Sequence, residues 1–277
     1  MKKKSLLALA LACCMSFMIG CGDDDGNGNV GNGGGESASV ENTMYAPTLS
    51  SDGKTITYGF YLQSVVTDDT LEGALTALNP NGWSAWVDYE GDTYGYISNP
   101  ELIDLEDGTK ACRSYYKYEP IVWDVLKQNA DGSYLVISQK ILDWCQWSNG
   151  SADTYAESKL RTQLNESFYN KAFKKHSNAI VANADGDKVF ALSNAEMGDT
   201  AYFAEDAARV SLTTPFVRAR GLDYNETTFA GEYWTSTPQS SMWIYFVGET
   251  GYLPNDQYQL QSTDGAGYRP AMNIKLG

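Results

Sequence analysis

The first 43 residues hold almost nothing that a folded core can use, and this limits the fold more than any other feature. Lys2, Lys3 and Lys4 precede an apolar stretch from Leu6 to Ile19, followed by the small residue Gly20 and Cys21. A charged start, an apolar run shorter than the ~20 residues needed to span a bilayer, and a small residue at its end make a secretion signal over residues 1–20. Residues 21–43 are Gly, Asp, Asn, Ser and Glu with few apolar side chains. Such a composition cannot offset the entropy of ordering, so it reads as a flexible tether. About 230 residues remain, enough for a single globular domain over 44–277.

That domain is acidic. The chain carries a formal net charge of −15, and loss of the three leading lysines takes it to −18. A polyanion of this size repels phosphate backbones and anionic headgroups, which argues against nucleic-acid binding and against a basic membrane face. With 19 Tyr, 9 Phe and 7 Trp, the composition is that of a compact strand-rich domain.

Met18-Ile19-Gly20-Cys21 resembles the lipobox of bacterial lipoproteins. The resemblance implies that Cys21 is acylated and that a lipid anchor ties the protein to a membrane, since several acyl chains hold stably. Asp23 to Asp25 behind it resemble the surface-export signal of Bacteroidota lipoproteins. The expected location is extracytoplasmic: the outer-membrane surface in a Gram-negative cell, the outer face of the plasma membrane in a Gram-positive one.

The other cysteines of a mature chain, Cys112 and Cys145, form an even pair in an oxidising compartment. A disulfide between them and a pair of buried thiols are equally compatible with the sequence.

The pattern of residues predicts an α+β domain. Residues 55–62 alternate as a strand, and 120–126 and 134–138 flank the turn Asn129-Ala130-Asp131-Gly132 as a hairpin. Residues 68–110 read as long loops with short hairpins. One prominent amphipathic helix follows, capped by Thr154 and Glu157, with Leu160, Leu164, Phe168 and Ala172 on one face. Its last turns carry Lys171, Lys174, Lys175 and His176, matching the helix dipole. Further strands are expected at 189–192, 233–236, 243–247 and 271–276, mainly antiparallel.

Several blocks resemble, in order, a widespread uncharacterised bacterial domain of unknown function. Residues 119–126 are similar to its E-P-I-x-W-x-V-L opening and 158–165 to its S-x-L-R-x-W-L-N helix, with Gln163 in place of Trp. Residues 168–173 match F-Y-x-x-A-F, 187–193 match D-K-V-F-x-L-S, and 267–271 resemble G-x-R-P-A. The late strands are also similar to the C-type-lectin-like superfold, which implies a mixed, mainly antiparallel sheet with long loops. Trp123, Arg161, Asn165 and Arg269 in these blocks, Trp234 where the family has W-W-L-R-S-P, and Glu196 after the 190–193 strand are expected to be structural, with Glu196, Arg161 and Arg269 forming internal ion pairs.

No catalytic constellation emerges. The single histidine, His176, reads as a solvated helix-end residue, and Cys112 and Cys145 have neither C-x-x-C spacing nor the placement of a copper-binding pair. Leu253-Pro254-Asn255-Asp256 lacks the leading acid of a lectin calcium loop, and Asp185-Gly186-Asp187 and Asp88 to Asp92 read as hydrated turns. No metal or cofactor is expected. Trp123, Trp234 and Trp243 fit the core, whereas Trp83, Trp86, Tyr94 and Tyr96 lie among turn formers, where rings stack on sugars or anchor partners. The expected function is a non-catalytic binding module for a glycan or protein. The alternatives are an enzyme of the sulfatase-modifier or carboxylate-hydrolase type and an envelope scaffold protein.

Overall fold

The computed structural model describes residues 45–150, 152–173, 176–254 and 260–277. The signal, Cys21, the tether, Lys174, Lys175 and the Asn255-Asp256 half of the lectin-like loop lie outside the described residues.

Among the described residues, two larger antiparallel-dominated sheets, two small strand pairs and a few short helices form an α+β domain. The chain opens with β1 (Thr48–Leu49) and β2 (Thr55–Val65), then a helix, α1 (Asp69–Leu78), where loops were expected. The Asp68 carboxylate accepts from the Thr70 and Leu71 amides and starts that helix, and Leu75 is its buried anchor. The next segment holds one of the expected short hairpins, β3 (Trp86–Tyr89) and β4 (Asp92–Tyr96). A small pair, β5 (Ile103–Asp104) and β6 (Lys110–Ala111), leads to the longest strand, β7 (Tyr115–Gln128). The expected Asp-Gly turn then returns the chain as β8 (Tyr134–Ser138).

After β9 (Lys140–Ile141) and β10 (Asp143–Gln146) comes the amphipathic helix, here α2 (159–173). Its cap is Ser158, which accepts from the Arg161 amide. Thr154 instead precedes a separate 3₁₀ turn, Tyr155–Glu157, and bonds the Glu157 carboxylate at 3.0 Å. The middle of α2, Gln163–Phe168, is a π-helical segment. Beyond β11 (Ile180–Val181) the chain carries α3 (Asn194–Met197), α4 (Asp206–Arg209), β12 (Leu212–Thr213) and α5 (Pro215–Ala219). It ends in β13 (Tyr233–Pro238), β14 (Trp243–Val247), β15 (Leu260–Gln261), β16 (Gly265–Tyr268) and β17 (Ala271–Ile274). The expected strand at 189–192 is reduced to one bridge, Phe190 to Ala271.

The larger sheet runs β1-β2-β7-β8-β17-β11, with the β3–β4 hairpin joined to the start of β7 through β4. The smaller runs β10-β16-β13-β14-β15. The main core lies between them and α2, built on Trp123, Trp147, Trp234, Tyr61, Tyr268, Leu160, Leu164 and Phe168. Trp243, expected inside, is 38% exposed. It begins its strand next to a surface turn, and the inward positions of β14 fall to Ile244 and Phe246.

The family-pattern residues are structural ties. Trp123 donates from Nε1 to the Tyr58 carbonyl (2.8 Å), and Trp234 to the Cys145 carbonyl (2.8 Å). Arg161 Nε reaches both Asp187 oxygens at 2.7 and 2.9 Å, while Asn165 clamps the Val189 carbonyl and the Lys188 amide. Arg269, 4% exposed, joins the Ser138 carbonyl to Asp124. Glu196 departs from expectation. Instead of pairing with a cation, it closes a reciprocal capping box with Ser193 at the start of α3.

Candidate functional site

A β-bulge creates the most distinctive cleft. Between Thr57 and Phe60 the β2–β7 register shifts, and Gly59 sits at φ 72°. A side chain at Gly59 would meet the Phe173 ring at 2.5 Å, so the glycine lets the end of α2 press onto the strand. The cleft beside it has a volume of about 150 Å³ and is lined by the rings of Tyr45, Tyr58, Phe60, Tyr118, Phe173 and His176. Asp92 and Thr93 from β4 complete its polar rim.

The rings brace one another. Tyr45 stacks on His176 at 3.9 Å with planes 4° apart, and Phe60 stacks on Tyr118 at 5.5 Å. Tyr58 lies 5.2 Å from Phe173, and Trp86 meets Tyr118 edge-on at 5.4 Å. The Tyr58 hydroxyl donates to the His176 carbonyl and the Tyr118 hydroxyl to the Lys171 carbonyl. Burial pushes the Tyr58 phenol up to about 12 and also raises that of Tyr118, so both stay neutral in ordinary buffers. Lys117 holds the Asp92 carboxylate at 2.7 Å. A second cleft of about 300 Å³, lined by Pro47, Asn178 and Lys275, shares Tyr45, Tyr58 and His176 with the first. The paired Tyr45 and His176 rings thus border both spaces.

The four aromatics singled out in the sequence part company. Trp83 is 89% exposed. Trp86 supports the cleft through Tyr118. Tyr94 is buried beneath α1 with Val66, Leu75 and Val87, and Tyr96 packs on Tyr115 at 5.3 Å. The rings that do form the cleft come from four separated stretches of chain, so local composition could not group them. His176 is likewise not a solvated helix end but half-buried against Tyr45. Cys112 and Cys145 are both free: the first is exposed, while the second is buried in β10, where burial pushes its thiol up.

A second, acidic cavity of about 430 Å³ is lined by Asp223, Glu232, Glu249 and Asp264 with Tyr224 and Leu222. It shares no lining residue with the aromatic cleft. Burial first, then the neighbouring Glu249 and Asp223 carboxylates, raise the Glu232 carboxyl above its ordinary 4.5. A carboxyl raised on folding favours its protonated form, so its charge costs stability as pH climbs through the raised value. Glu232→Gln is therefore expected to melt higher than wild type at about pH 7–8, with the two curves converging below about pH 4. Thermal melts across that range check it.

Among the described residues, no group of three or more His, Cys, Asp or Glu side chains is arranged to hold a metal, and no helix is long and apolar enough to cross a membrane. Residues 131–276 match the family described as Domain of unknown function (DUF6273). The match takes in the blocks at 158–165, 168–173, 187–193 and 267–271, and leaves β2, β4 and all of β7 before it. No curated protein and no solved structure matches the chain.

Proposed function

The chain belongs to the DUF6273 family, and we propose that it is a lipid-anchored extracytoplasmic protein whose single domain, C-type-lectin-like in kind, binds a neutral glycan without acting on it. One observation carries this reading: six rings converge on a cleft whose Tyr58 and Tyr118 phenols stay neutral and whose rim acid is already paired. Ring faces suit the apolar C–H faces of sugars, and neutral phenol and phenyl walls favour neutral ligands over ionic ones. The family segment supplies the α2 side of the cleft, and the preceding strands supply the β side. Specificity on this view resides in β2, β4 and β7. Acylation at Cys21 would then hold the cleft near the membrane.

The test is titration of neutral oligosaccharides by calorimetry, after an array screen, with the wild type and with Phe60→Ala and Tyr118→Ala. Losing one stacking face is expected to weaken binding about tenfold or more, with circular dichroism confirming the fold. No glycan bound by the wild type, or binding unchanged in both variants, sinks the reading. A second reading, a carboxylate-based hydrolase or a relative of the sulfatase modifiers, is favoured by the acidic cavity and the raised carboxyl of Glu232. Turnover abolished by Glu232→Gln would establish it.

A further inference from the structure

Arg218, on α5, is 1% exposed, and its Nε, Nη1 and Nη2 atoms find no hydrogen-bond partner among the described residues. The hydroxyl of Tyr116 on β7 is buried without a partner in the same sense. Tyr116 packs edge-on at 5.6 Å against Phe216, two residues before Arg218 on the same short helix. Its phenol and the guanidinium lie within each other's field. The guanidinium carbon sits 4.6 Å from the ring centre of Phe229 and 5.2 Å from that of Tyr224. These rings interact with the cation but supply no acceptor for its N–H edges. Two carboxylates act on the guanidinium, Glu106 and then Asp104, but neither accepts from it: its three nitrogens find no partner among the described residues, and Asp104 is engaged by Lys110 at 2.7 Å and by the Tyr224 hydroxyl at 3.2 Å.

Arginine cannot shed its proton, and a buried cation without hydrogen-bonded compensation is costly. Four donor atoms lacking any acceptor call for a partner rich in lone pairs and negatively charged. The cover itself is strained: Phe229 adopts φ 59°, in the left-handed region that bulky side chains avoid. Asn225 ties that cover together, its carbonyl accepting from the Phe229 amide at 2.7 Å and its side chain from the Thr227 and Thr228 amides. We propose that α5, Tyr116 and the 223–229 segment enclose a binding site for a small anion, a halide or a single carboxylate group, which accepts from the Arg218 guanidinium and the Tyr116 hydroxyl. The enclosure limits the ligand to a few atoms, and entry requires Tyr224 and Phe229 to lift. The site is separate from the aromatic cleft and does not depend on the glycan reading.

The experiment exchanges sodium gluconate, whose anion is too large to enter, for bromide or formate at constant ionic strength and follows thermal unfolding of the whole protein. Wild type is expected to gain roughly 3–5 °C at ten times the dissociation constant, saturably. Arg218→Met is expected to be flat, and Tyr116→Phe to need several-fold more anion. Bromide alone stabilising identifies a halide site; both anions stabilising identifies a carboxylate-tolerant one. Crystals grown in bromide are expected to show one anomalous peak between the guanidinium and the Tyr116 hydroxyl. That readout uses the wild type and stands even if Arg218→Met fails to fold. Parallel responses of wild type and both variants, or no anomalous peak at this position, overturn the proposal.

Discussion

Replacing Asp143 with alanine is expected to cost about 3 kcal/mol of unfolding free energy, the low end of what breaking a buried ion pair costs. Asp143 is fully buried on β10. It accepts from the Tyr61 hydroxyl at 2.7 Å and the Trp144 amide at 2.9 Å, and it pairs with Arg220. Burial, and then the Asp143 charge, drive the Tyr61 phenol well above its ordinary value, so it remains a donor. Alanine at 143 leaves that hydroxyl and the Trp144 amide without an acceptor inside the core. Arg220 is 35% exposed and can turn its charge towards water, which is why the low end applies. The reverse change, Arg220→Met, strands the carboxylate in the core and is expected to cost at least as much. Tyr61→Phe removes one hydrogen bond and is expected to cost only about 1 kcal/mol. Urea titrations of the two single variants and the double variant close a cycle, with a coupling of about 1–3 kcal/mol expected. Strict additivity would show that the pair contributes nothing beyond its separate residues.

How far the sequence foretold this arrangement differs from element to element, for physical reasons. β2, β7, β8, β14 and β17 stand where alternation and the Asp131-Gly132 turn placed them, because each has one face packed on a core. The helix α2 was legible too, yet its π-helical segment was latent in the pattern. Leu160, Leu164, Phe168 and Ala172 recur every fourth residue, about 0.4 residue longer than one α-turn. Over three repeats the stripe would rotate off the core, and a wider turn at Gln163–Phe168 keeps Leu164 and Phe168 buried. α1 escaped notice because it buries a single residue, Leu75, and carries Gly73 at its centre. Its real signal was the Asp68 cap, hidden in a run of turn-forming residues. Ser193 and Glu196 had the spacing of a capping box, a local reading that accounts for Glu196 better than a long-range ion pair. The aromatic cleft was beyond local reading: Tyr58 and His176, bonded to each other, are 118 residues apart. The one clue to it was Gly59 inside an otherwise regular strand, the mark of a bulge or a close approach.

The largest single loss is expected from Trp234→Ala, about 3–5 kcal/mol. Trp234 is 2% exposed on β13, and its Nε1 donates to the Cys145 carbonyl on β10, two strands away across β16. Trp147, just beyond β10 and fully buried, answers by donating to the Thr235 carbonyl on β13 at 3.0 Å. Two indoles therefore span β16 in opposite senses and fasten its neighbours to each other. The strand between them is small-sided: Gly265, Ala266 and Gly267 precede Tyr268. A side chain at Gly267 would meet Ile141 at 2.4 Å and the Glu232 carbonyl at 3.0 Å, so the sheet closes only around glycine there. Removing the Trp234 indole opens a cavity in the main core and takes the indole donor from the Cys145 carbonyl in the same step. Trp234→Phe separates the two contributions. It keeps most of the apolar area, and its expected cost is nearer 1–2 kcal/mol, chiefly the lost hydrogen bond and the residual space. Because both indoles hold the same pair of strands, Trp147→Phe combined with Trp234→Phe is expected to depart from additivity. Urea unfolding of the four proteins measures this, and a Trp234→Ala loss below about 1.5 kcal/mol would mean that β10 and β13 are held by something other than the paired indoles.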